Sequence, residues 1–182
     1  MSERQQIGAA IRRIAWGYIL IHVNFYLITM DILPDWLGYC MMLWSLPALA
    51  KREQSVTLLR PLGVILILWN LFDWLMDIGG IRVNTDGLAL VATVLDLYFH
   101  FQLLTDLARI AKQYGYPAGR KLRHLRTART VLAAVTHIFL YWMPEEMAVV
   151  LGIVIVQFIL AVWLCRVLFK FGKALLEEEQ EA

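Results

Sequence analysis

Asp96 and His100 stand four residues apart inside an otherwise apolar run. On a helix that spacing puts them on one face. A carboxylate and an imidazole so placed can share one proton or help to hold a cation. The carboxylate needs such a partner, since a charge at the bilayer centre costs about 2.5–3.5 kcal/mol on insertion scales. Asn24, Asn70, Asp73 and His137 also interrupt apolar runs. Asn24, Asn70 and His137 each precede the corner that ends their run by seven residues, which is about 10 Å of helix. Hairpins around a common axis would bring all three to one depth. Asn70, Asp73 and Asp77 follow at steps of three and four and form a single stripe. Asn24, Asn70, Asp73, Asp96, His100 and His137 are therefore the candidate ligand-binding residues. The plainer reading is that they bridge neighbouring helices, at about 0.6 kcal/mol each on average.

Other chemistries are poorly served. His22, His100, His137, Asp73 and Asp96 contain no metal-ligand motif, and of these only Asp96 and His100 have helical ligand spacing. No metal and no cofactor are expected. Glu145 and Glu146 in "PEEM" lack the arginine three residues later that intramembrane proteases of the CAAX type carry, and they fall in a turn. No nucleophile–base set stands out, so no enzymatic activity is expected. Cys40 and Cys165 lie in apolar segments near opposite membrane faces, too far apart for a disulfide. Both are expected as small buried hydrophobes.

The elements that must position these residues follow from hydropathy. Hydrophobic residues make up 60% of the 182-residue chain, and mean hydropathy is +0.61. Soluble domains sit nearer about 45–50% apolar, so the excess must face lipid. Six segments approach the ~20 apolar residues that cross a bilayer: Ile14–Met30, Asp35–Ala50, Leu58–Met76, Gly87–Ala108, Thr127–Met143 and Met147–Phe169. Pro47 should kink or end the second. The expected fold is all-α: a polytopic membrane bundle of six transmembrane helices in three hairpins (14–50, 58–108 and 127–169) with short outer turns. These form one integral membrane domain over 1–182, with a basic cytoplasmic loop at 109–126 and an acidic cytoplasmic tail at 174–182. Of the 17 basic residues, all but Arg82 fall on one side of that topology. The positive-inside rule then places both termini in the cytoplasm and the protein in the cell membrane. No removable signal peptide is expected at the N-terminus. The outer corners carry Asp31 and Asp35, Asp77 and Asp86, and Glu145 and Glu146, with Pro34, Gly79, Gly80 and Pro144 as turn residues. Asp35 is expected to cap the second helix, and Trp36, Tyr39, Trp74, Tyr141 and Trp142 to form an interfacial belt.

An internal repeat supports the hairpins. "GYILIHVNFYLITMD" from Gly17 and "GVILILWNLFDWLMD" from Gly63 align at an offset of 46, matching Gly17/Gly63, Asn24/Asn70 and Asp31/Asp77. A fainter copy, Thr130–Pro144, puts His137 at the Asn position. Repeats with midplane polar sites are common in transporters, which points to a small-solute binding or transport component. In size, six-helix count and inward termini the chain is similar to the substrate-binding component of energy-coupling-factor transporters. That likeness covers architecture and no motif, beyond small residues at Ala9, Ala10 and Ala15, and no family is assigned on it. The alternative is an accessory or regulatory membrane subunit that docks a membrane or cytoplasmic protein through its basic loop. Membrane lipids are expected partners, with anionic lipid at that loop, and no nucleic acid.

Overall fold

A computed structural model describes residues 2–22, 26–27, 30–31, 35–81, 85–142 and 147–177. Within them the chain forms six α-helices: α1 (Glu3–His22), α2 (Asp35–Leu49), α3 (Leu59–Ile78), α4 (Asp86–Gln113), α5 (Ala118–Trp142) and α6 (Met147–Glu177). A 3-10 turn, Gln54–Leu58, leads into α3. Between α1 and α2 two short strands, β1 (Tyr26–Leu27) and β2 (Met30–Asp31), pair antiparallel.

Local chemistry explains the boundaries. Pro47 lacks a backbone donor, and α2 ends two residues later, at Leu49. Pro61 sits in the first turn of α3, where no donor is needed. Helices α3 and α4 both end in the same cap. Gly80 (φ +60°) and Gly115 (φ +67°) take the left-handed conformation. The N–H groups of Gly80 and Ile81 bond Asp77 and Met76 carbonyls, and those of Gly115 and Tyr116 bond Lys112 and Ala111 carbonyls. This is the paired bonding of a Schellman motif, which glycine at that position makes cheap.

Each helix packs on its neighbours in sequence, and α1 packs on α6, so the six close into a ring in chain order. Backbones approach most closely where glycines meet. A Cβ on Gly8 would stand 2.9 Å from the Gly172 carbonyl, and one on Gly17 would stand 2.8 Å from the Gly38 carbonyl. Such contacts are how helices associate without a hydrophobic drive between them. The repeat residue Gly63 has the same use, its Cβ position lying 3.0 Å from Leu43.

The two ends of the ring differ. At one end Arg52 pairs with Glu3 at 2.5 Å, and Lys51 donates to Gln6. Arg4 and Arg52 both lie over the Tyr114 ring, and Tyr116 donates to the Lys170 carbonyl. The start of α1 and the ends of α2, α4 and α6 thus meet at this basic end. The buried core gathers there, from Ile7, Ile11 and Ile14 through Leu46, Leu103, Leu107 and Leu122 to Leu168 and Phe171. Towards the far end large apolar side chains are exposed instead, among them Leu68, Leu88, Leu90, Leu151 and Ile159.

Several expectations are corrected. Three stretches among the described residues, not six, are long and apolar enough to cross a bilayer: Gln54–Ile78, Gly87–Gln113 and Val149–Glu177. Helix α2 has only 15 residues, α1 stops at His22 short of the strand pair, and the first half of α5 is basic. The segment 109–126 is not a loop, since α4 runs to Gln113 and α5 starts at Ala118. Residues 174–177 of the tail belong to α6. Pro34, Arg82, Glu145, Glu146 and 178–182 lie outside the described residues.

Candidate functional site

The polar network begins at a close crossing of α1 and α2. Gly17 and Gly38 touch backbone to backbone, and each is followed by a tyrosine, Tyr18 and Tyr39. Both phenols reach α4. Tyr39 Oη donates to Asp96 Oδ1 and lies 3.3 Å from His100 Nε2. Tyr18 Oη lies 3.0 Å from His100 Nδ1, and His100 Nε2 lies 3.0 Å from Asp96 Oδ1. With the proton on Nε2 every member is satisfied: Tyr18 donates to Nδ1, Nε2–H donates to the carboxylate, and Tyr39 donates to the same oxygen. His100 and Tyr18 are buried. The imidazole is packed among Tyr18, Tyr39 and Phe99, with ring centroids 5.1, 5.8 and 5.5 Å away. A continuous hydrogen-bond path therefore crosses the ring from α1 through α4 to α2.

Asp96 is partly open, with about a third of its side chain exposed. It lines a cavity of about 320 Å³ with Asn70 and Asp73 of α3, Arg129 and His137 of α5, and Asp35 at the start of α2. Thr85, just before α4, and Trp69 complete one wall. The cavity thus belongs to the far half of the ring. Asn70 Nδ2 donates to its own Leu66 carbonyl at 2.7 Å. Arg129 stacks over the Tyr18 ring at 5.2 Å, and among the described residues its buried Nη1 has no hydrogen-bond partner. It brings a positive charge to the level of the Asp96 carboxylate. Arg129 and His137 also border a smaller space of about 160 Å³ with His22 and Gln157, where Gln157 Nε2 donates to Thr136 Oγ1.

Of the six candidates, Asn70, Asp73, Asp96 and His137 line one cavity. His100 sits behind Asp96 in the buried network. Asn24 lies outside the described residues. Asp77, on the same stripe as Asp73, is exposed and takes no part in the lining. Tyr18, Tyr39 and Arg129 were not anticipated. The two Gly-Tyr pairs, and an arginine two residues inside the fifth apolar segment, were the available signals. Among the described residues no three of His, Cys, Asp or Glu converge as a metal site. No protein family, no characterised protein and no solved structure matches the chain.

Proposed function

We propose that this is a multi-pass integral membrane protein that binds a small polar solute in the far-end cavity, as the binding or transport component of a solute pathway. The observation that carries this reading is the shared cavity itself. Polar side chains of α3, α4 and α5 border one space: Asp73, Arg129 and His137 line it beside Asp96, which Tyr39 and His100 hold, and Asn70, which bonds the Leu66 carbonyl. About 320 Å³ suits a small ligand. Carboxylates at Asp73 and Asp96 beside the Arg129 guanidinium suit a solute with charged or hydrogen-bonding groups of both signs.

Six crossings with both termini in the cytoplasm remain our topology, and an argument from the ends of the helices supports it. The start of α1 and the ends of α2, α4 and α6 share the basic end. Helix α6 is long enough to cross, so its start belongs to the opposite side. The chain leaves α4 at the basic end, so α5 must carry it across. Helix α2 starts at Asp35, beside Thr85 and Asp73 in the far cavity, and ends at the basic end. The chain must therefore traverse the ring before α2 as well. The rival reading is a subunit that docks a partner through 109–126, a segment that is helical on both sides of residues 114–117.

The test is native mass spectrometry of protein purified in mild detergent. A co-purified small molecule is expected on the wild type and absent from Asp96→Asn. Unchanged binding in that variant would remove the cavity as the site.

A further inference from the structure

The basic end holds a second cavity, about 790 Å³, in the angle between the last turns of α4 and the first turns of α5. Its charged lining is Arg109, Lys112, Arg120, Lys121 and Arg123, with no carboxylate. Arg109 is already committed, 3.5 Å from Glu53 and 3.6 Å from Asp106. Among the described residues the other four make no ion pair.

Two of these cations stand where a helix disfavours them. Arg120 and Lys121 lie in the first turn of α5, which starts at Ala118 and has no acidic residue there, and Arg123 follows in the next turn. A helix N-terminus carries about half a positive charge and unbonded N–H groups, so cations there repel it. The crowding is held in place by the Schellman turn at Gly115. It is held too by the close approach of Gly119 to the Ala108 carbonyl, 3.0 Å from a Cβ position. Repulsion of this kind is relieved by an anion between the two helices. Arg109 and Lys112 lie in the last turns of Gly87–Gln113, one of the stretches able to cross a bilayer. The cavity therefore lies at the height where lipid headgroups end a membrane span.

We propose that this cavity binds a phosphate group, presented by the headgroup of an anionic lipid. The phosphate would meet Lys112, Arg120, Lys121 and Arg123. This site is separate from the far-end solute cavity and does not depend on it.

Protein in mild detergent is incubated with mixed micelles of phosphatidylglycerol and phosphatidylcholine, and retained lipid is counted by native mass spectrometry. Wild type is expected to keep phosphatidylglycerol selectively. The triple variant Arg120→Gln/Lys121→Gln/Arg123→Gln is expected to bind it roughly a hundredfold more weakly, at about 1 kcal/mol per charge removed. A control, Lys51→Gln/Arg60→Gln/Lys173→Gln, removes equal charge elsewhere on the basic end and is expected to bind within a fewfold of wild type. In delipidated protein, inorganic phosphate alone is titrated while the thermal midpoint is followed. A shift lost in the triple variant, without selective lipid retention, keeps the phosphate site and assigns it to a soluble source. Equal loss in the triple variant and the control, or full retention in the triple variant, overturns the proposal. Unchanged helicity by circular dichroism keeps the comparison valid.

Discussion

Tyr39 is the side chain on which the buried network turns, because its phenol donates to Asp96 and also lies beside His100. Removing the hydroxyl leaves the carboxylate, about a third exposed, one donor short with His100 still beside it. Tyr39→Phe is therefore expected to lower unfolding stability in detergent by about 1.5–3 kcal/mol, the worth of a hydrogen bond to a charged group. The same substitution in an Asp96→Asn background should cost much less. A coupling of about 0.5–3 kcal/mol from that double-mutant cycle would identify the contact, and additive losses would refute it. The Asp96/His100 pair was legible because a spacing of four in an apolar run admits few readings. Tyr18 and Tyr39 were not, since a tyrosine in a membrane segment is as readily assigned to the interfacial belt. Arg129 stands only two residues inside the fifth apolar segment, and the charge count places it with the other cations on the basic side. What places it in the ring is the neighbouring phenol and the cavity that α5 shares with α3 and α4, and neither is encoded near Arg129 in sequence.

Among the helices, glycine contacts set the spacing, and the prediction there concerns two glycines of opposite surroundings. A Cβ on Gly38 would meet Ile21 Cγ1 at 2.6 Å and the Gly17 carbonyl at 2.7 Å. Gly38→Ala must push α1 from α2 and shift both tyrosines of the network. It is expected to destabilise by about 1–3 kcal/mol, as overpacking does. Gly152 in α6 has nothing within 4 Å of its Cβ position, so Gly152→Ala should stabilise by about 0.5–1 kcal/mol through backbone entropy alone. Thermal midpoints of the two variants should move in opposite directions, and movement in the same direction would contradict the packing described. Helices α2, α3 and the start of α6 were legible from hydropathy to within a residue or two. The start of α5 and the end of α4 were not. Cations there mimic a loop, while the backbone is held helical by the Gly115 cap and the Gly119 contact. The corner after α1 was also misread, because the repeat with α3 implied a helix through Met30 where the chain instead forms the β1–β2 pair.

For the molecule as a whole the decisive quantity is the parity of its crossings. Among the described residues three helices pass by length and apolarity alone, yet on the topology we propose an odd number would place the end of α6 opposite the start of α1, and Gly172 packs against Gly8. Within the proposed bilayer placement, only an even number keeps that contact and lets α3, α4 and α6 cross. Cysteine accessibility tests this directly. In a background of Cys40→Ala and Cys165→Ala, single variants Lys51→Cys, Lys112→Cys and Lys173→Cys are expected to react with a membrane-impermeant maleimide only from the cytoplasmic side. Ile81→Cys, on the exposed turn after α3, is expected to react only from the other. If Lys173→Cys labels from the side opposite Lys51→Cys, the ring cannot sit in a bilayer as described. If Ile81→Cys labels from the same side as Lys51→Cys, α3 does not cross, and the far cavity would open to the cytoplasm.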